Sequence, residues 1–107
     1  MRDATTMLLA AAVVLACGAI GPQDAYVPVE GYVPTAEVAI KIAVAVWEPI
    51  YGAQAIAEEK PYKAKLADGV WTVEGTLPKR YKKGGVALAE ISKRDGRILR
   101  VAHGKLS

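Results

Sequence analysis

The chain has 107 residues, enough for one domain, and 52% of them are hydrophobic, which excludes general disorder. A formal net charge of +3 is too small to indicate a nucleic-acid partner. A single cysteine excludes an intrachain disulfide, and with a single histidine it leaves too few ligands for a typical zinc site.

Residues 1–16 have the pattern of a cleavable signal segment. Met7 to Ala16 is an uninterrupted apolar run of ten residues. A helix needs about 20 residues to span a bilayer, whereas the apolar region of a secretory signal takes about 7–15. The sequence therefore predicts export from the cytoplasm.

The run closes on Val14-Leu15-Ala16-Cys17. This motif resembles the lipobox of bacterial lipoproteins, in which the cysteine thiol carries a diacylglyceryl group. The resemblance implies lipidation at Cys17, a membrane anchor and a place in the cell envelope, facing the periplasm or the cell surface. The alternatives that stay open are a plain signal peptide cut near Ala16 or Ala19, an uncleaved anchor, and a start codon assigned at the wrong position.

Residues 17–33 are dense in glycine and proline, which predicts a flexible tether. Residues 34–107 then form the folded domain. Its first element is a helix, because Thr35 can cap the N-terminus and Glu37 lies in the first turn. We expect this helix to end near Trp47 or Glu48, because Pro49 lacks the backbone donor that a helix needs.

A short second helix is predicted from about Ala53 to Glu59. After Pro61 the hydrophobic period changes from 3.6 to 2, which indicates strands. Asp68-Gly69 is typical of a two-residue hairpin. The register it predicts pairs Leu66 with Trp71, Ala64 with Val73, and Lys63 with Glu74.

A third strand is predicted from Gly85 to Ser92 and a fourth from Ile98 to His103, joined by a loop in which Gly96 is left-handed. That loop pairs Ile91 with Leu99, Glu90 with Arg100, and Ala89 with Val101. The predicted fold is α+β: two N-terminal helices packed on one face of a curled four-stranded antiparallel meander. The other face would be open or would meet a partner, so a homodimer is one expectation.

The order of several blocks resembles a known family. They are Tyr32-Val33-Pro34, Ala39-Ile40-Lys41-Ile42-Ala43, Trp47-Glu48-Pro49-Ile50-Tyr51-Gly52, Lys60-Pro61-Tyr62-Lys63-Ala64, the run Asp68 to Pro78, Gly84-Gly85-Val86, Asp95-Gly96-Arg97-Ile98-Leu99 and His103-Gly104-Lys105. Together they resemble bacterial immunity proteins with a nuclear transport factor 2 (cystatin-like) fold. The resemblance implies binding and blocking of a cognate toxin from a polymorphic toxin system. It implies no catalytic motif and no cofactor.

One loop is a candidate contact surface. Its residues are Lys79, Arg80, Tyr81, Lys82 and Lys83. Four cations around one tyrosine suit an acidic partner or an anionic membrane surface. The alternative is a solvated loop that keeps a sheet edge from aggregating.

Other polar residues have structural interpretations. His103, the one histidine, is predicted to be a core or edge residue of the last strand, since it lacks a triad. Glu74 and Glu90 have the basic cross-strand partners Lys63 and Arg100, which predicts surface ion pairs.

The large aromatic residues are also expected to be structural. Trp47 and Trp71 are expected in the core, and Tyr51 is expected to anchor the helix break. We therefore expect no enzyme and no metal site. The alternative functions are an envelope binding module similar to PepSY-type domains and an enzyme with a polar pocket.

Overall fold

The computed structural model describes residues 25–81 and 84–104. The signal segment, Cys17, the first part of the predicted tether and the lysines at 82 and 83 lie outside these residues. Within the described part of the chain, no helix is both long enough and apolar enough to cross a bilayer.

The first helix, α1 (Ala36–Tyr51), begins where the sequence predicts. The Thr35 hydroxyl accepts a hydrogen bond from the Val38 N–H at 3.3 Å, which satisfies one of the unpaired donors of the first turn. Ala39, Ala43 and Trp47 repeat every four residues and form its buried stripe.

The predicted end of α1 was wrong, because the helix continues through Pro49 to Tyr51. Pro49 lacks the N–H of one intrahelical hydrogen bond, but the helix continues for two more residues and closes on a hydrogen bond from Gly52. The Gly52 N–H donates to the Glu48 carbonyl at 2.8 Å, and Gly52 then turns the chain at a φ of 99°. The second helix, α2 (Ala53–Ala57), ends two residues before its predicted end.

Four antiparallel strands follow, in the spatial order β1-β2-β3-β4. Their bounds are β1 (Lys63–Ala67), β2 (Val70–Glu74), β3 (Val86–Ser92) and β4 (Ile98–Gly104). Asp68 and Gly69 have φ values of 50° and 75°, as a type I′ turn requires. This turn sets the predicted register of the first hairpin, which is confirmed at Leu66–Trp71, Ala64–Val73 and Lys63–Glu74.

The second hairpin matches the prediction except at its turn. Glu90 pairs with Arg100 and Gly96 has a φ of 75°, both as predicted. Ile91, however, pairs with Ile98 instead of Leu99, because the register shifts between Glu90 and Ile91. A bulge of this kind puts an extra residue on one strand.

α1 packs against β1, β2 and β3, whereas β4 has its main contacts with β3. The core forms between α1 and the covered face of the sheet, and both tryptophans belong to it, as predicted. The buried hydrophobic residues are Val33, Ala39, Ala43, Trp47, Ile56, Trp71, Val73, Val86, Ala87, Ala89 and Ile91.

The segment before α1 packs against the β3–β4 turn. The N–H groups of Tyr32 and Val33 donate to the carbonyls of Arg94 and Lys93, each at 3.0 Å. The Trp71 indole N–H donates to the Val33 carbonyl at 2.8 Å, and Val33 is fully buried. The stretch predicted as a tether therefore contributes its last residue to the core.

Candidate functional site

Glu59 carries a carboxylate that lies almost entirely inside the protein. The residue is 5% exposed and lies in the turn that follows α2. Its Oε1 accepts a hydrogen bond from the Ala87 N–H at 2.7 Å, and its Oε2 lies 2.9 Å from the His103 Nε2. Both oxygens therefore have a partner, as a buried carboxylate requires.

The sheet makes room for this carboxylate where β2 ends. The Gly75 N–H donates to the Ala87 carbonyl at 2.9 Å, but the Ala87 N–H donates to Glu59 and not back to Gly75. A Cβ on residue 75 would overlap the Glu59 carboxylate, so glycine is needed there for close approach. The Glu59 carbonyl also accepts the Thr76 N–H at 2.7 Å. Glu59 thus joins the α2–β1 connection to the end of the sheet.

His103 lies on the edge strand β4, as predicted, opposite Ala87. Its imidazole centroid lies 5.0 Å from that of the Tyr51 ring, at an interplanar angle of 53°. Because α1 extends past Pro49, Tyr51 can reach this histidine. Tyr51 also packs against the core, as expected of an anchor at the helix break. The histidine side chain keeps 36% of its surface exposed.

A cleft of about 340 Å³ opens beside this pair. Its lining includes Glu58, Glu59, Leu77, Pro78, Tyr81 and His103. We call this space the cleft. Its walls come from the α2–β1 turn, the β2–β3 connection and the end of β4, which the fold brings to one end of the molecule.

Arg80 and Tyr81, from the predicted contact loop, meet Glu58 at the rim of the cleft. Arg80 forms an ion pair with Glu58, and its guanidinium lies 4.8 Å from the Tyr81 ring centroid. Hydrogen bonds to the Tyr81 hydroxyl and to Glu58 raise the pKa of Arg80 above its usual value. Lys79 is exposed next to this cluster, and the lysines at 82 and 83 lie outside the described residues. Contacts among Glu58, Arg80 and Tyr81 therefore hold the rim in place.

The described lining of the cleft has a paired Glu59 and His103 but no serine, threonine or cysteine nucleophile. Among the residues that the structure describes, no group of three histidine, cysteine, aspartate or glutamate side chains could hold a metal ion. The cleft therefore combines a buried, paired carboxylate with a rim of exposed aromatic and cationic side chains.

Glu74 and Glu90, the two strand carboxylates considered in the sequence analysis, do not line the cleft. Glu90 lies 3.5 Å from Arg100 in the predicted ion pair, and Glu74 lies opposite Lys63 in the ladder. Sequence reasoning missed Glu59, because 44 residues separate it from His103 and no spacing rule connects them. The one local signal was Gly75 directly after a strand, which can indicate a close approach.

Comparison with known proteins finds a family and two relatives. The sequence model of the family described as NTF2 fold immunity protein matches residues 38–105. The uncharacterized proteins YhhH and YbbC of Escherichia coli (strain K12) are 40% and 35% identical to this chain over 77 residues, which is 72% of its length. These matches span 61% and 63% of the two relatives, less than two thirds of each. No solved structure matches the chain at a significant level.

Proposed function

Because this chain belongs to the family of NTF2-fold immunity proteins, we propose that it binds a cognate toxin of a bacterial polymorphic toxin system and blocks it without catalysis. The family match over residues 38–105 carries this proposal, since it covers the helix, the sheet and the cleft. The chemistry of the cleft agrees with it: both oxygens of the Glu59 carboxylate already have partners.

The contact surface in this proposal is the rim of the cleft, with Arg80 and Tyr81 at its centre and Lys79 beside them. Tyrosine and arginine are the residue types that most often dominate binding energy at interfaces. Tyr81 is 49% exposed, and its stacking with Arg80, itself paired to Glu58, restricts both side chains before a partner arrives. Such preorganisation lowers the entropy that binding must otherwise overcome.

We also place this activity in the cell envelope. The apolar run Met7–Ala16 and the lipobox-like Cys17 support export and lipid anchoring. In that location the protein would intercept toxins that act on the wall or the membrane, and a cytoplasmic nuclease would be out of its reach.

The test is protection of living cells. A strain lacking this gene is grown with toxin-bearing neighbours, and we expect it to be killed and to be rescued by the wild-type gene. Tyr81→Ala should fail to rescue, whereas Tyr32→Ala should succeed, because Tyr32 is also exposed, at 48%, but lies against the β3–β4 turn and does not line the cleft. If the deletion strain survives unharmed, the proposed function is wrong. If both variants rescue equally, only the contact surface is wrong.

Anchoring has its own test, metabolic labelling with palmitate. We expect label on the wild-type protein and none on Cys17→Ser. A wild-type protein without label, or equal label on both, would contradict lipidation at Cys17 and leave the binding proposal standing.

A further inference from the structure

The three most exposed large hydrophobic residues of the described chain lie close together, before α1. Tyr26, Val27 and Val29 are 76%, 66% and 99% exposed. We call these three residues the N-terminal patch. Single exposed apolar side chains are common on protein surfaces, whereas a group of neighbouring ones indicates a surface that another molecule or a membrane covers.

Backbone and side-chain contacts attach the patch to the two hairpin turns. The Gly31 N–H donates to the Pro28 carbonyl at 3.1 Å, directly after the patch. The Lys93 ammonium group donates to the backbone carbonyl of Glu30 and lies 3.5 Å from its carboxylate. The Lys93 N–H donates to the Gly69 carbonyl at 2.9 Å, which joins the β3–β4 turn to the β1–β2 turn. The patch therefore lies at the end of the sheet that the two turns form.

The patch and the cleft lie at opposite ends of the sheet. β4 begins at Ile98, beside the β3–β4 turn, and ends at Gly104, directly after His103 of the cleft. At about 3.3 Å per residue, the seven residues of β4 separate these two ends by about 20 Å. A surface that covers the patch therefore leaves the cleft open.

From these observations we propose that the N-terminal patch lies against the phospholipid headgroups of the membrane that carries the protein, so that the cleft points away from the bilayer. The inference depends on the proposed anchoring at Cys17. Nine positions separate Cys17 from Tyr26, and a chain of that length reaches at most about 30 Å. In an anchored protein the bilayer is therefore a surface that always stays within reach of the patch.

The residue types of the patch suit the boundary between headgroups and acyl chains. A tyrosine ring can lie among apolar groups there while its hydroxyl stays in water, and valines add apolar area. The charged side chains of this end, at residue 30 and in the two turns, are three acidic and three basic: Glu30, Asp68, Asp95, Lys93, Arg94 and Arg97. Since neither sign is in excess, apolar burial and not attraction to anionic lipid should provide the contact.

The test measures the depth of a fluorophore in vesicles. The lipid-anchored protein is purified from membranes and reconstituted into phosphatidylcholine vesicles, with a thiol-reactive fluorophore on Val29→Cys or, as the matched control, on Ile50→Cys. Ile50 is also an exposed apolar residue, at 57%, but it lies in the last turn of α1, next to Tyr51 at the cleft end. Nitroxide-labelled lipid should quench the probe at position 29 at least about twofold more than the control probe, because interfacial segments enter the headgroup layer. Aqueous iodide should give the reverse order.

A second substitution separates membrane contact from mere nearness to the anchor. In the Val29→Cys chain, Val27→Glu should reduce lipid quenching to the level of the control probe, because a carboxylate resists transfer out of water. Ile50→Glu in the same chain should leave the quenching unchanged. Circular dichroism checks that each variant is folded.

Three results would overturn the proposal and leave toxin binding and lipid anchoring standing. They are equal lipid quenching at positions 29 and 50, quenching at position 29 that survives Val27→Glu, and quenching that appears only in vesicles rich in phosphatidylglycerol, which would assign the contact to the basic side chains. A protein that is not recovered with membranes would overturn this inference together with anchoring at Cys17, while the protection assay would still decide the toxin proposal.

Discussion

The carboxylate of Glu59 and the imidazole of His103 lie 2.9 Å apart, although 44 residues separate them along the chain. Glu59 belongs to the connection between the helices and the sheet, and His103 lies near the end of the last strand. The same carboxylate accepts the Ala87 N–H, so one side chain ties three parts of the fold together. We therefore expect the main effect of substituting Glu59 to be a loss of fold stability.

Replacing Glu59 by alanine should lower the free energy of unfolding by about 2–4 kcal/mol, because it leaves a buried N–H without an acceptor. Glu59→Gln should cost about 1–2 kcal/mol, since its amide oxygen can still accept the Ala87 N–H. Urea denaturation measures both. Glu58→Ala is the matched control, because that neighbouring side chain is 34% exposed and pairs at the surface. Equal effects at the two positions would contradict the structural role of Glu59.

Gly75→Ala should destabilise the fold by about 2 kcal/mol or more, since the added methyl group would occupy the position of the Glu59 carboxylate. Gly104→Ala is the control, because a Cβ there meets no atom within 4 Å. The cost of Gly75→Ala should fall in a Glu59→Ala background, because the carboxylate is gone, but part of it should remain, since the Cβ of residue 59 would still lie 2.8 Å from the added methyl group. Additive costs in the double variant would show that the two residues act separately.

The parts of the fold that follow from local chemistry were predictable. Asp68-Gly69 can form only a few turn types, and the one that it adopts fixes the pairing of Leu66 with Trp71. Thr35 likewise marks the start of α1 without reference to the rest of the chain. Such features depend on residues that are close in sequence, and they predicted the sheet order.

The features that the sequence did not reveal depend on distant contacts. Pro49 normally ends a helix, but the hydrogen bond from Gly52 to Glu48 and the packing of Tyr51 carry α1 beyond it. Glu59 resembles an ordinary surface residue at a helix end until Ala87 and His103 approach it. Secondary-structure propensities depend on neighbouring residues and do not include either set of contacts. The candidate site could therefore be recognised only in the tertiary structure.

Trp71→Phe should loosen the segment before α1, because it removes the 2.8 Å hydrogen bond from the indole to the Val33 carbonyl. We expect faster amide hydrogen exchange at Tyr32 and Val33 and a stability loss of about 1–2 kcal/mol. Trp47→Phe is the control, since the indole of Trp47 donates to Leu88 in the sheet. Equal acceleration at Tyr32 and Val33 in both variants would contradict a specific role for Trp71.

The turn between β3 and β4 should weaken at acidic pH because of Asp95. Hydrogen bonds from the Arg97 N–H and from Ser92 hold the pKa of this carboxyl below its ordinary value of 3.8. A carboxyl whose pKa is lower in the folded protein stabilises the fold above the unfolded value, and the contribution is lost as the pH falls through the folded value. An NMR titration of Asp95 should therefore have its midpoint below 3.8.

Thermal unfolding checks the consequence for stability. The Tm of the wild-type protein should fall more between pH 6 and pH 3 than the Tm of Asp95→Asn, because the amide does not titrate. The difference should be small, since Asp95 is fully exposed and solvent weakens its interactions. A midpoint at or above 3.8, or a variant with a steeper acid loss than the wild type, would show that the Arg97 N–H does not stabilise the ionised carboxylate.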